Sequence, residues 1–407
     1  MKTTQANTVK KPVIRSFLNT TFFTALMLFP FSAHAQSVNY STMSDIFGEP
    51  VTTSANGSPQ RESEVPVNME ILTAEDIEQS GARTLPEVLR FVPGVDVRRY
   101  TFGQSEVSIR GYNQPSNDRI LVLLDGRQVY TDFFGQVVWD NIPVEISEIQ
   151  QIEVVKGPNT ALFGFNAVSG VVNIITKNPL HDEGGEVTIR GGSHSLQEAS
   201  GYATVKFSDR LAAKISAGGY DTDQDFDDFR TILEDDTSKS SFALDLWGQV
   251  TDRVQVQFEV TQNQHVRNEY LASRIPVSSD YDTSSVRGRV LADTSFGLWE
   301  ADIYHNEAQA DYDVGNALFR VPLVADNRIT VAELSNTFNV GDFHTFRVAG
   351  EYRNAANKFS AEGTVVPALG PLNPLQYSND DLVYDIYSLS GLWDWRATPK
   401  LRTSAAF

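Results

Sequence analysis

The sequence predicts two structural parts in series: a small α+β domain followed by an antiparallel β-barrel. Three observations carry this. Between Ile149 and Lys177, two β-branched runs, Ile152 to Val155 and Val171 to Ile175, flank a turn opened by Gly157-Pro158, where glycine permits positive φ and proline cannot continue a ladder. Upstream, Thr73-Ala-Glu-Asp76 and Thr84-Leu-Pro-Glu87 each place a carboxylate three residues after a hydroxyl, the spacing that caps a helix start. Past about Gly184 the pattern alternates, as in Val254-Gln-Val-Gln-Phe-Glu-Val-Thr261, so each strand has one apolar and one wet face.

The chain has 407 residues, no cysteine and a formal charge of -19. Residues 1–35 carry Lys2, Lys10, Lys11 and Arg15 without an acid, then an apolar run around Phe17 to Phe31, then Ala33-His-Ala35. That is the grammar of a secretory signal peptide with its cleavage site, and the mature chain is expected to start at Gln36. Without those cations the remainder is more acidic still, which argues against nucleic acid as a partner. Absence of cysteine excludes a disulfide framework and thiol metal sites. After the signal no apolar run approaches the roughly 18 residues of a spanning helix, so membrane residence requires a barrel.

Residues 36–61 are polar and short and are expected to form a flexible leader. Residues 62–180 should form the α+β domain. Its helices run from Thr73 to near Gly81 and from Thr84 to near Phe91, before Pro93-Gly94, with Leu85, Val88 and Leu89 as an apolar face. Candidate strands are Val95 to Val97, Val107 to Ile109, Arg119 to Leu124 and Arg127 to Tyr130, the last two joined by the hairpin pair Asp125-Gly126, then the two runs around Gly157-Pro158. A domain of about 120 residues can bury a core of its own.

The segment from residue 181 to 407 divides into about ten to twelve strands of the length a membrane barrel needs, with the first near Glu186. Alternation alone leaves a soluble sandwich open, and Trp247, Trp299, Trp393 and Trp395 near strand ends fit interfacial girdles as well as sandwich cores. The export signal and the absence of cysteine, taken with the three motifs described next, favour the membrane barrel. A barrel of so few strands cannot enclose a domain of this size, so the wall is expected to be incomplete in this chain.

Three motifs resemble those of one family. Val154-Val-Lys-Gly-Pro-Asn-Thr-Ala-Leu-Phe-Gly164 followed by Val168-Ser-Gly-Val-Val-Asn-Ile-Ile-Thr-Lys177, together with Val107-Ser-Ile-Arg-Gly111 and Ile120-Leu-Val-Leu-Leu-Asp-Gly126, is similar to the plug domain of TonB-dependent outer-membrane receptors. The resemblance implies plug-motif roles for Arg110, Gly111, Asp125, Gly126, Lys156, Gly157, Pro158, Gly164 and Gly170. It implies that Glu49, Pro50, Val51, Thr52 and Thr53 form a TonB box, a peptide that adds as a strand to its partner; as residues alone they read equally as a linker. It implies TonB, energised through ExbB and ExbD, as partner, outer-membrane lipid around the wall, and a small metal-chelate or corrin ligand such as a ferric siderophore or cobalamin. Arg110 and Lys156 are expected to latch the plug to inward wall carboxylates, with Glu259, Glu300, Asp302 and Glu351 as candidates by strand parity. Ligand contacts are expected at Tyr100, Phe102, Gln104, Tyr130, Phe133, Phe134 and Trp139, aromatic rings with an amide that suit such a ligand or that pack beneath the wall loops.

No catalytic constellation emerges. G-x-S-x-G, H-E-x-x-H and Gly-Lys-Ser patterns are all missing. His181, His194, His265, His305 and His344 stand singly. The tract Asp221 to Asp228 fails as a calcium loop, because Phe226 stands where glycine is needed and Ile232 where a bidentate glutamate belongs. No cofactor is expected. The reading is therefore an active transporter and not an enzyme; the alternatives are a barrel enzyme, a protease or lipid-modifying hydrolase, and a passive porin or adhesin.

Overall fold

A computed structural model describes residues 38–54, 59–65, 67–111, 119–129, 137–157, 167–223, 236–270, 276–316, 319–361, 382–398 and 401–406. The leader holds helix α1 (Tyr40–Phe47) and a short pairing of β1 (Val51–Thr52) with β2 (Gln60–Arg61). This differs from the flexible leader expected, for reasons that lie in its contacts. The signal region falls outside the described residues, as do Pro158 and Gly164.

The plug follows with β3 (Met69–Thr73), α2 (Ala74–Ser80), α3 (Leu85–Leu89), β4 (Val95–Arg99), β5 (Ser105–Ile109), β6 (Ile120–Leu124), β7 (Arg127–Gln128), β8 (Ile149–Lys156) and β9 (Gly170–Thr176). Both helices start where the capping signals put them. The Thr73 hydroxyl accepts from Asp76 N at 3.2 Å while the Asp76 carboxylate accepts from Thr73 N at 2.9 Å, a reciprocal cap. Gly81, at φ 64°, ends α2 in the left-handed conformation that glycine supplies without strain. Five strands form one sheet in the order β3-β8-β9-β6-β7, with β6 parallel to β9 and the other pairs antiparallel, while β4 and β5 make a separate hairpin. Ile152 and Val154 of β8, Val122 of β6 and Ile174 of β9 meet Ile77 of α2 and Leu85, Val88 and Leu89 of α3 in a continuous apolar core. Side chains alternate across a strand, so the opposite face is built from Gln151, Glu153 and Val155 of β8 and Asn173 of β9.

Among the described residues the wall is an eleven-stranded antiparallel sheet in sequence order: β10 (Gly185–Gly191), β11 (Gln197–Ser208), β12 (Leu211–Asp223), β13 (Asp236–Thr251), β14 (Val254–Tyr270), β15 (Pro276–Thr294), β16 (Gly297–Asn316), β17 (Phe319–Val340), β18 (His344–Ala361), β19 (Leu382–Thr398) and β20 (Leu401–Ala406). Eleven falls within the ten to twelve strands expected. Among the described residues β10 and β20 do not pair, so the sheet curves around the plug without closing. In β14 the residues Gln255, Gln257, Glu259, Thr261, Asn263, His265, Arg267 and Glu269 face the plug and are buried, while Phe258 between them is 46% exposed on the outer face. Polar inward and apolar outward is the membrane-barrel arrangement. At one end of the wall successive strands are joined by two or three residues, as at 209–210, 252–253, 295–296 and 341–343; connections at the other end reach the lengths of 224–235 and 362–381. Among the described residues no helix is long and apolar enough to cross a membrane.

Aromatic side chains gather on the outer face near the short-turn end. Phe338, Phe346, Trp393 and Trp395 stack with His344 between them, the ring centroids of His344 and Trp395 being 6.0 Å apart. Trp299 faces outward nearby in the sequence of β16, 37% exposed. Trp247 departs from the girdle expected. It shares the parity of Asp245, points inward at 7% exposure, and donates its ring N–H to the Asp245 carboxylate at 2.8 Å. A buried indole needs such an acceptor.

Candidate functional site

The leader sits on the face of the plug sheet opposite the helices, over Gln151, Glu153 and Asn173 and beside a smaller apolar cluster of Leu121, Leu123, Val155 and Val171. Asn39 caps α1, its side chain accepting from Thr42 N at 3.0 Å, and Gly48 closes the helix at φ 70°. The chain then turns so that Val51 and Thr52 are almost wholly buried, at 1% and 0% exposure. Their polar groups are accounted for one by one. Gln151 Nε2 donates to Val51 O at 2.9 Å, Glu62 N to Pro50 O at 2.9 Å, and the hydroxyls of Tyr40 and Thr53 bond at 3.0 Å. Ser54 donates to the Glu153 carboxylate in a short bond, and Asn173 Nδ2 donates to Ser54 Oγ at 2.9 Å. Glu49 accepts from Ser63 N and Oγ at 3.2 and 2.9 Å and lies 3.5 Å from Arg61. A polar segment that finds partners for its buried backbone and hydroxyl groups needs no core of its own to be ordered, although the buried Gln60 amide of β2 finds none among the described residues. That is why composition misjudged it.

A second cluster joins plug to wall in mid-lumen. The turn between β6 and β7 puts Asp125 at φ 50° and Gly126 at φ 86°, and Thr176 donates through N and Oγ1 to the Asp125 carboxylate at 2.8 Å each. The turn presents Arg127 to the wall. Arg127, 3% exposed, donates to Glu259 of β14 at 2.9 Å and to Asn306 of β16 at 3.1 Å, and Asn306 donates to Gln128 O at 2.9 Å. Behind Glu259 stand Arg287, bonded to Asp302 through Nε at 3.0 and 3.1 Å, and Arg289, 2.5 Å from Glu300. Lys214 of β12 and Glu148 of the plug form another buried pair at 3.0 Å. Breaking one partner out of such a pair strands the other charge without solvent, at a cost of about 3–5 kcal/mol.

Arg110 and Lys156 do not make the latch expected of them. Arg110, at φ 60°, donates to Lys156 O at 3.3 Å, and Lys156 Nζ bonds Glu70 at 2.8 Å and Pro93 O at 3.1 Å. Both tie the plug to itself. Gly111 at φ 83° and Gly157 at φ 123° supply the backbone turns beside them, and Gly170 closes onto the β8 backbone with no room for a side chain against Ile109. Of the four wall carboxylates, Glu259 meets the plug cation Arg127, whereas Glu300, Asp302 and Glu351 pair with wall arginines, Glu351 with Arg353 at 3.3 Å.

Toward the long-connection end, the plug loop 100–104 is fastened to β14. The Gln104 amide donates to Tyr270 O at 2.9 Å and accepts from Tyr270 N at 2.8 Å, and Arg267 donates to Gly103 O at 2.6 Å. Phe102 meets Tyr220 edge-on at 5.3 Å with Arg99 4.7 Å over its ring. His265, fully buried, lies within bonding distance of Asn141 and Tyr220, at 3.2 Å each. Beside it, burial raises the Asp140 carboxyl above the usual range, with Lys239 and Arg267 opposing the shift. Trp139 belongs to the apolar core. Of the expected ligand contacts, Gln104 is bonded to β14, Phe102 and Trp139 pack as described and also line the cleft beside α3, Tyr100 bonds Glu106 at 3.2 Å and stays partly exposed, and Tyr130, Phe133 and Phe134 lie outside the described residues. A charged cleft between α3 and β11–β13, lined by Arg99, Asp140, Glu145, Glu198, Tyr220 and Lys239, adjoins this loop. Among the described residues no group of His, Asp and Glu is arranged to hold a metal ion.

Comparison with known proteins supplies the wider setting. The TonB-dependent Receptor Plug Domain profile matches residues 61–171. The chain is 33% identical over 207 residues to the vitamin B12 transporter BtuB of Vibrio vulnificus, covering 50% of this chain and 32% of that one, and 34% identical over 170 residues to BtuB of Vibrio cholerae, covering 42% and 27%. The chain thus spans about a third of the length of these curated relatives. Among solved structures, the alcaligin outer-membrane receptor FauA of Bordetella pertussis shares the fold with a TM-score of 0.65 at 15% identity, over 88% of this chain and 57% of that one. The ferripyoverdine receptor of Pseudomonas aeruginosa gives 0.68 at 12% identity, over 88% and 53%, and the copper transporter OprC 0.62 at 13%, over 80% and 51%.

Proposed function

Because the chain belongs to the family of TonB-dependent outer-membrane receptors, we propose that it forms the plug and the first part of the wall of an active transporter for a scarce metal-chelate or corrin ligand. Short turns face the periplasm and long loops the exterior in such barrels, which sets the direction of the whole. The leader then lies at the periplasmic side, where Arg402 of β20 donates to Glu64 O at 3.3 Å, and the 100–104 loop lies toward the exterior beside Tyr270.

That separation is the observation that carries the reading. A partner grips the leader at one end of the plug, and the ligand is received at the other. Residues 49–53 leave their pairing with β2 and add as a strand to TonB, and TonB, energised through ExbB and ExbD, pulls the plug. Arg127 with Glu259, in place of Arg110 and Lys156, resists that pull until it is large enough to separate a buried pair. Names of the relatives and structural neighbours cover cobalamin, siderophores and copper, so the ligand is sought within those classes. No covalent chemistry is involved.

Deleting Glu49 to Thr53 tests this. Loss of uptake of cobalamin or a ferric siderophore, with cell-surface binding retained, is the expected result. Unchanged uptake in the deletion strain points instead to passive diffusion and ends the reading. Growth under iron, cobalamin or copper limitation then identifies the ligand.

A further inference from the structure

Glu153 occupies an unusual position. It lies at the middle of β8, paired in register with Asn173 on one side and Ile71 on the other, and is fully buried. Among the described residues no lysine or arginine pairs with its carboxylate. Its partners are neutral: Gln151 Nε2 donates to Oε1 at 2.8 Å, Asn173 Nδ2 reaches Oε2 at 3.3 Å, and the hydroxyls of Ser54 and Thr52 bond it from the leader. Gln151 and Asn173 also bond the leader directly, at Val51 O and Ser54 Oγ. A buried carboxylate without a cation is costly, and a sheet needs none to be stable. What the cost obtains here is a seat that fits residues 51–54.

We propose that Glu153 is a positioning residue that holds residues 51–54 stowed against the plug sheet and so sets how often the TonB box is free to be taken. The proposal rests on the transporter reading for its purpose but not for its test. Burial holds the Glu153 carboxyl above the usual carboxylate range, while the bonds from Ser54, Thr52, Asn173 and Gln151 pull it down. The titratable group on α1 whose charge couples to Glu153 is Tyr40, bonded to Thr53, and the charges of Arg289 of β15 and Asp125 of the plug act on Tyr40 as well. When the leader leaves, water reaches Glu153 and its pKa returns toward the ordinary value of about 4.3. The stowed state therefore binds the extra proton. By linkage, stowing is strongest at low pH and weakens as pH rises through the elevated pKa of the stowed form.

Amide hydrogen exchange on the purified full-length protein in detergent reads this without any ligand or partner. Peptides covering 49–62 report the leader, and peptides covering β8 and β9 report the fold. After correction for intrinsic rates, leader exchange in the unsubstituted protein is expected to rise roughly tenfold as pH increases through the shifted range, with β8 and β9 unchanged. Glu153→Gln, a neutral mimic of the protonated acid, is expected to keep the leader protected with a flat pH profile. Glu153→Ala is expected to exchange fast at every pH. Identical pH profiles for the unsubstituted protein and Glu153→Gln overturn the proposal, as does full protection in Glu153→Ala. If Glu153→Ala does not fold, the first comparison decides alone. Failure here leaves the transporter reading standing, because uptake is not measured, and failure of uptake leaves this result intact.

Discussion

The two faces of the plug sheet are built for opposite purposes. Against α2 and α3 the sheet presents Val122, Ile152, Val154 and Ile174, all essentially unexposed; against the leader it presents Gln151, Glu153 and Asn173. Each aliphatic side chain on the first face gains about 1.5–3 kcal/mol by leaving water, and separating that face returns nothing in exchange. Polar groups on the second face recover hydrogen bonds from water when the leader departs, so the net loss per bond is only about 0.5–1.5 kcal/mol. One face is a permanent joint and the other a releasable one, within a single strand whose alternate residues serve each. Arg127 and Glu259 form a third kind of joint, polar but sealed from water, which on the proposed mechanism separates only under load.

This ranking can be broken or sharpened by substitution. Arg127→Ala should have the largest effect, lowering plug stability by about 3–5 kcal/mol, because Glu259 stays buried with only the more distant Arg287, 3.9 Å away, to balance it. A double-mutant cycle with Glu259→Ala on thermal unfolding checks it, and strictly additive losses would place the joint elsewhere. Leu89→Ala, which opens a cavity in the permanent face, should cost about 2–5 kcal/mol by the same measurement, without selectively loosening residues 49–62. Ser54→Ala removes a hydroxyl from the releasable face. It should accelerate exchange of the leader severalfold, about 1 kcal/mol, and leave plug unfolding unmoved. Arg110→Ala deletes one bond at the plug surface, so a loss of no more than about 1 kcal/mol is expected, with the coupling between Arg127 and Glu259 intact. A loss of coupling there would restore Arg110 to the latch.

Local signals were the legible ones. Thr73 and Thr84 mark helix starts because a cap is made by residues three apart, and β14 reads directly from its two-residue period. The strand count followed from the length of strand and turn that a membrane barrel needs. What stayed hidden depends on contacts distant in sequence: Ser54 meets Glu153 and Asn173, and Arg127 meets Glu259, pairings that no local pattern announces. Parity alone correctly turned Glu259 inward and would have turned Trp247 inward with Asp245. It could not say which plug cation Glu259 would meet. One signal went unused: a strand buried on both faces is ordinarily a continuous apolar run, and a glutamate inside Ile152-Glu-Val-Val155, like the asparagine inside Val171-Val-Asn-Ile-Ile175, marks a face that something polar must cover.

The central claim is that the leader must leave its seat for transport to occur, and a tether tests it most directly. The chain has no cysteine, so Ser54→Cys with Asn173→Cys introduces the only two thiols, at side chains whose polar atoms lie 2.9 Å apart. A short bis-methanethiosulfonate linker, which forms a reducible disulfide to each thiol with release of methanesulfinate, should abolish uptake of cobalamin or ferric siderophore while surface binding continues, and reduction should restore uptake. Transport at an equal rate with the linker in place would contradict the account.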